Sequence, residues 1–264
     1  MTLAEYDMTG KVAFVTGAGR GIGKGIAQVL AEAGADVAIN ALTPKYVEPL
    51  AAEIGKATGR RAIPVMADMT KPDGVQKAVD AVLSKLGRID VLVNALGDSI
   101  RKPLVGLPGT DGAGVPISDD DLRFIMDINL TEALLTTRAV GPHMLARESG
   151  KVINVAAWTA HQGGRDTVLY TTAKTALAGF TRSLALEWAP HGVQVNCMAP
   201  GLFPDILTGG EERMQRSVAR AKAEVPLGRI GQLREAGLLA LYLASPASDY
   251  MTGQTILLDG GLGL

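Results

Sequence analysis

Short runs of apolar and β-branched residues alternate along this chain with longer segments whose apolar positions recur every three to four residues. The runs at 11–16, 36–40, 61–67, 90–94, 151–155, 194–198 and 255–258 read as strands. Helical periodicity marks 22–33, 44–57, 72–86, 119–146, 169–187 and 234–243. In the first helix, Ile22, Ile26, Val29 and Leu30 share one face. Pro44 and Pro72 open two others, where a missing amide proton costs nothing. Strands alternating with helices in this way predict an α/β chain with a doubly wound sheet of about seven parallel strands, helices covering both faces. No linker-like stretch or repeat divides 1–264, so it reads as a single domain. Two stretches break the rhythm. Segment 98–118 holds Gly106, Gly109, Gly112, Gly114 and three prolines; segment 202–227 holds Gly209-Gly210 and a basic helical stretch with Arg213, Arg216, Arg220 and Lys222. Both follow strands expected at the centre of the sheet, where ligands bind beyond the strands' carboxyl ends. They are candidate substrate rims; the plainer alternative is irregular surface loop.

Composition narrows the field. The 264 residues are 47% hydrophobic and 20% charged, with a net charge of −1, which argues against a nucleic-acid partner, since that needs a basic face. No apolar run reaches the roughly 18 residues of a membrane span, and the first ten residues lack the pattern of a secretory signal. Cys197 is the single cysteine. It leaves no internal disulfide and no multi-cysteine metal site, so no metal is expected and a reducing, cytoplasmic setting is. Glycine is abundant, 32 residues, as befits tight turns and close approach of backbone to a ligand.

One such turn is Thr16-Gly17-Ala18-Gly19-Arg20-Gly21-Ile22-Gly23, at the first strand–helix junction. Glycines there let backbone N–H groups and a helix N-terminus approach a pyrophosphate. The pattern Thr-Gly-x-x-x-Gly-x-Gly resembles the short-chain dehydrogenase/reductase family, whose fold is Rossmann-type. The resemblance runs from Gly10 to Gly261. Its other landmarks are Asn94-Ala95-Leu96-Gly97, Asn129, Tyr170-Thr171-Thr172-Ala173-Lys174, Pro200-Gly201, Thr252-Gly253-Gln254 and Asp259-Gly260-Gly261. It is nearest to 3-oxoacyl carrier-protein reductases and related sugar, polyol and naphthol reductases. The resemblance implies an oxidoreductase for a small carbonyl or secondary alcohol, working as a homo-oligomer, tetramer or dimer.

The resemblance also implies a nicotinamide cofactor held by Gly17, Gly19, Arg20, Gly21, Ile22, Gly23, Asn40, Leu42, Asp68, Met69, Ala95, Leu96, Gly97, Tyr170, Lys174, Pro200, Gly201 and Phe203. Enzymes selective for NAD usually carry an acid after the second strand. Ala41 stands there in Asn40-Ala41-Leu42-Thr43, so a 2′-phosphate is not repelled. NADP(H) is the preferred cofactor, with NAD(H) still permitted. Arg20, and Lys45 with it, are candidate partners for that phosphate; otherwise Arg20 is a solvated cation. Asp68 either meets adenine or serves the local backbone.

Tyr170 and Lys174 are four apart on one helix face. A free phenol, with a pKa near 10, is too weak an acid for work at neutral pH, and a neighbouring ammonium is expected to lower it. By resemblance Tyr170 is the acid/base, Lys174 tunes it and holds ribose, and Asn129 holds a water of the proton relay. The family's serine, 13 residues before the tyrosine, is replaced by Ala157. Loss of one oriented donor to a developing oxyanion costs on the order of 10²–10³ in rate. Thr159, His161 or the substrate itself are the alternative donors; the plainer readings are a loop histidine at 161 and a Thr159 side chain in the core or on its own backbone. Further alternatives are an engineered serine-to-alanine variant, a nucleotide-binding sensor or structural protein without turnover, against which the retained Asn129, Tyr170 and Lys174 weigh, and a lyase or isomerase on the same fold. Ala95 and Leu96 replace an Asn-Ala pair, and Asp205 stands where a threonine often bonds the nicotinamide carboxamide. Arg101 and Lys102 open an apparent insertion before Asn129, as anion ligands or solvated cations.

Overall fold

The computed structural model describes residues 3–106 and 115–264. Seven strands, β1 (Val12–Val15), β2 (Asp36–Ala41), β3 (Ala62–Met66), β4 (Val91–Asn94), β5 (Gly150–Val155), β6 (Val193–Pro200) and β7 (Thr255–Leu258), form one sheet. Its order is β3-β2-β1-β4-β5-β6-β7, and every pairing is parallel. The predicted doubly wound sheet is therefore present. Strand order reverses between β1 and β4, which opens a crevice at their carboxyl ends.

Helices α1 (Gly21–Glu32), α2 (Pro44–Thr58) and α3 (Pro72–Leu86) follow the first three strands. After β4 come α4 (Asp119–Met126), a π-helical turn Asp127–Thr131, and α5 (Glu132–Leu145). Beyond β5 lie the short α6 (Thr159–Gln162) and α7 (Val168–Trp188); α8 (Ile206–Glu224) and α9 (Leu233–Ala244) lie between β6 and β7. Among the described residues no helix is long and apolar enough to cross a membrane.

The continuous helix expected over 119–146 is corrected by the π turn. Apolar spacing runs through all three pieces, so periodicity could not reveal the break. Its local cause is Asn129, whose Nδ2 donates to the Ile125 carbonyl at 3.0 Å. A side chain thus takes up a backbone acceptor within the widened turn. The start at Asp119 is set by Ser118, whose Oγ accepts from Asp121 N while Asp121 accepts from Ser118 N. Of the expected rim 98–118, Gly109, Gly112 and Gly114 fall outside the described residues. The rim 202–227 contains α8, in line with its basic helical pattern.

Buried on both faces, the strands split their side chains between two layers. Ala13 and Val15 of β1 face a layer built with α1, α2 and α9, whereas Val12 and Phe14 face α3, α5 and α7. Helices α1 and α9 touch through small residues: a Cβ at Gly237 would lie 2.5 Å from Val29 Cγ2 and 2.6 Å from the Gly25 carbonyl oxygen. Overpacking of this kind costs about 1–3 kcal/mol. Gly237→Ala is therefore expected to lower the melting temperature by several degrees, as a thermal melt would show. An unchanged melt would mean that the two helices are not held at that separation.

Candidate active site

The crevice between β1 and β4 is lined by the glycine turn. Gly17 has φ +61°, and a Cβ there would lie 2.7 Å from Leu96 Cα. Thr16 Oγ1 accepts from Ala95 N at 3.1 Å and Leu96 N at 3.3 Å, locking the end of β4 against the turn. Gly23 is equally confined, with a Cβ position 2.7 Å from the Gly17 carbonyl oxygen. Arg20 precedes α1 without capping it by its side chain. The turn therefore presents backbone N–H groups and a glycine cradle, which fits a pyrophosphate.

The other expected cofactor residues divide. Gly19 abuts Ala41 and Tyr46, its Cβ position lying 3.4 Å and 3.2 Å from theirs. Lys45 Nζ lies 5.0 Å and the Arg20 guanidinium 5.8 Å from the centre of the Tyr46 ring, so both cations flank the same corner. Leu42 is exposed beside them, and Gly21, Ile22, Gly201 and Phe203 are half-buried. Asn40 is buried and its side chain is committed to the fold: Oδ1 accepts from Gly17 N at 3.4 Å, and Nδ2 donates to the Val65 and Ala67 carbonyls. Met69 lies in the core and Pro200 is buried. Asp68 accepts from Thr70 N at 2.9 Å and Thr70 Oγ1 at 2.6 Å, the local backbone service that was one of its two readings. Lys102 is likewise committed, to Asp121 Oδ2 at 2.6 Å.

Tyr170 and Lys174 meet at the carboxyl end of β5. The Lys174 ammonium, 3% exposed, donates to the Val155 carbonyl at 2.8 Å and lies 6.0 Å from the centre of the Tyr170 ring. Asn129 is brought to the same place by the π turn, donating to the Asp98 carbonyl at 2.8 Å. A Cβ at Gly97 would lie 2.8 Å from Asn129 Oδ1 and 3.1 Å from Lys174 Nζ, so only glycine leaves these groups room. Asn129 Oδ1 is buried with no hydrogen-bond partner among the described residues. The expected lowering of the Tyr170 pKa is not the balance in this structure. Burial, then the charge of Asp98, push the phenol up to about 12. Burial also lowers the pKa of Lys174.

Ala157 is buried just past β5, and the chain there keeps pairing with β6: Ala156 N donates to the Met198 carbonyl and Trp158 N to that of Pro200. The two candidate donors differ. Thr159 is buried, with its hydroxyl unpartnered among the described residues, whereas His161 is exposed.

Sequence reasoning overlooked a buried polar belt beneath this site. Asn94 Nδ2 donates to Thr137 Oγ1 at 3.0 Å and to Asn154 Oδ1 at 2.8 Å, and Asn154 Nδ2 donates to Thr181 Oγ1 at 2.9 Å. It ties α5 and α7 to adjacent strand ends. Its signal was an asparagine at a paired position near the carboxyl end of each of two largely apolar strands. Glu132 was also overlooked. It is fully buried, with Oε2 3.5 Å from the Thr16 hydroxyl that donates to it and Oε1 unpartnered among the described residues. Burial raises its pKa; the charge of Lys174 and the Thr16 hydrogen bond oppose that rise.

These features agree with the relatives of the chain. The family model described as Enoyl-(Acyl carrier protein) reductase matches residues 17–263. The 2-dehydro-3-deoxy-D-gluconate 5-dehydrogenase of Bacillus subtilis (strain 168) is 36% identical over 259 residues, 97% of this chain and 96% of that protein. A 3-oxoacyl-[acyl-carrier-protein] reductase of Synechocystis is 37% identical over 257 residues, 97% and 98% of the two chains. Among solved structures, a gluconate 5-dehydrogenase from Burkholderia cenocepacia J2315 in complex with NADP and tartrate superposes with a TM-score of 0.86, at 33% identity, over 98% of this chain and 97% of that one. The chain belongs to the short-chain dehydrogenase/reductase family and is an NAD(P)-dependent oxidoreductase of that family.

Glu132 gives the site a pH signature. Its folded pKa is raised, so the stability it contributes is complete below the ordinary carboxylate range and is lost as pH rises through the raised value. Glutamine at this position resembles the protonated acid and does not titrate, and Lys174 is common to both proteins. Glu132→Gln should therefore gain stability relative to the parent as pH climbs from about 4 through neutrality. Parallel denaturation curves across that range would refute the buried, proton-holding carboxyl.

Proposed function

We propose that this protein transfers hydride between NADP(H) and a small carbonyl or secondary alcohol, with Tyr170 as the acid/base. The observation that carries the reading is the meeting of Lys174 and Asn129 at Gly97, with the Tyr170 ring 6.0 Å from the Lys174 ammonium, beside the glycine turn. When bound, the nicotinamide supplies or accepts the hydride. Gly17, Gly21 and Gly23 shape the pyrophosphate turn, with Gly19 setting it against Ala41 and Tyr46. Arg20 and Lys45 meet a 2′-phosphate at the corner where Ala41 leaves no competing carboxylate. The named relatives act on substrates as different as a sugar acid and a 3-oxoacyl group, so the proposal stops at the carbonyl/alcohol pair.

The raised pKa makes the Tyr170 phenol a weaker acid than a free one, so its proton passes to the substrate oxygen only as that oxygen gains charge in reduction. Lys174 orients the ribose through N–H groups not used on Val155, and Asn129 Oδ1 accepts from the water of the relay. Ala157 provides no donor, so the buried Thr159 hydroxyl takes the serine's part. Exposed Leu122, Phe124 and Leu134 on α4 and α5 support assembly as a homo-oligomer. A cytoplasmic setting suits the buried free thiol of Cys197. Ala157 also favours a second reading, a nucleotide-binding protein without turnover.

Tyr170→Phe should cut NADPH-dependent carbonyl reduction by about 10²–10⁴ with NADPH binding unchanged. An equally active variant would remove Tyr170 from the chemistry. Thr159→Val, compared with Ala157→Ser in the same assay, tests the donor. The first should lose about 10²-fold and the second should add little. A gain of a hundredfold or more from the new serine would instead mark position 157 as disabling.

A further inference from the structure

Asp205 lies in the chain between β6 and α8, and its carboxylate spans two helix N-termini. Oδ1 accepts from Leu207 N at 3.0 Å and caps α8, while Oδ2 accepts from Gly21 N at 2.6 Å, at the first residue of α1. The two contacts differ in kind. The first is local and would be made by any capping acid. The second reaches across 184 positions of sequence to the one helix end that the glycine turn exposes. Arg20 offers that end no side-chain cap, so its N–H groups are free to take an anion from elsewhere. In this structure the anion is the protein's own carboxylate.

A pyrophosphate seated on the same turn would bring further negative charge to the N–H that Asp205 holds. Both cannot accept from Gly21 N in line, and at such separation like charges repel. The carboxylate must withdraw. The segment that carries it is built to allow this: Ala221 is the only buried residue of α8 among those described, and the helix is broken at Gly210 with φ +68° and ψ −174°.

We propose that Asp205 is a built-in competitor for the pyrophosphate seat, an autoinhibitory contact that a dinucleotide displaces and that couples cofactor binding to release of α8 from the glycine turn. The proposal rests on the reading of that turn as the cofactor site. It departs from the role expected of a threonine at this position, which would add to cofactor binding rather than oppose it.

The test is equilibrium binding of NADPH and, separately, of inorganic pyrophosphate to the parent, Asp205→Asn and Asp205→Ala, followed by fluorescence and calorimetry. Asparagine is isosteric and retains an oxygen for the α8 cap, so the fold is kept, and a thermal melt verifies it. Both substitutions should tighten NADPH binding about tenfold, and pyrophosphate should gain by a similar factor. Equal or weaker NADPH binding would overturn the proposal and make Asp205 a bystander or a cofactor ligand. Tighter NADPH binding without a gain for pyrophosphate would also overturn it, because the carboxylate would then act away from the anion seat. If pyrophosphate gains while no protein binds a dinucleotide, the competing contact stands and the cofactor reading falls.

Discussion

The Lys174 ammonium, sealed beneath the crevice, has to be held by oxygens that the fold delivers to it, because a buried charge without partners is among the costliest features a protein can carry. One of those oxygens is the Val155 carbonyl, freed where β5 ends. Much of the surrounding architecture follows. Gly97 has no side chain because two polar groups crowd the space a Cβ would take. The helix after β4 widens into a π turn so that Asn129 reaches the same spot. The Asn94–Asn154–Thr181 chain fixes α7, and hence Lys174, against the sheet.

The glycine turn and the lysine site are joined through Thr16. Its hydroxyl oxygen accepts from Ala95 and Leu96 on the lysine side of the crevice, and its proton is shared between the Val93 carbonyl and Glu132. Thr16, just past β1, therefore braces the glycine turn on one side and reaches the buried Glu132 on the other. Asp205 meets the same turn at Gly21 N. The protein thus brings together one positive helix end, the buried Lys174, the Asp205 carboxylate and the buried Glu132 carboxyl, and the balance among them sets which protons and which anions it holds.

The sheet, its strand bounds and most helices were legible in the sequence, because alternation of apolar runs and turn residues is a local signal. So were the Tyr170–Lys174 pair and the glycine turn, which are fixed by spacing within one element or one junction. The π turn was not, since Asn129 acts through a backbone carbonyl that no pattern of apolar positions reports. Neither was the raised Tyr170 pKa. Spacing put an ammonium near the phenol, but the balance belongs to burial and to Asp98, which only the folded chain brings close. Asp205 was visible as a departure from the family's threonine. Its partner, Gly21, lies 184 residues away and could not be read.

NADPH absorbance, followed with the unaltered protein over a panel of keto sugar acids, 3-oxoacyl thioesters and simple ketones, tests the central claim most directly. The account predicts oxidation of NADPH on at least one of these, matched mole for mole by formation of the alcohol. NADPH bound tightly but left unoxidised across the panel would contradict it and would make the cleft a nucleotide-binding site without turnover.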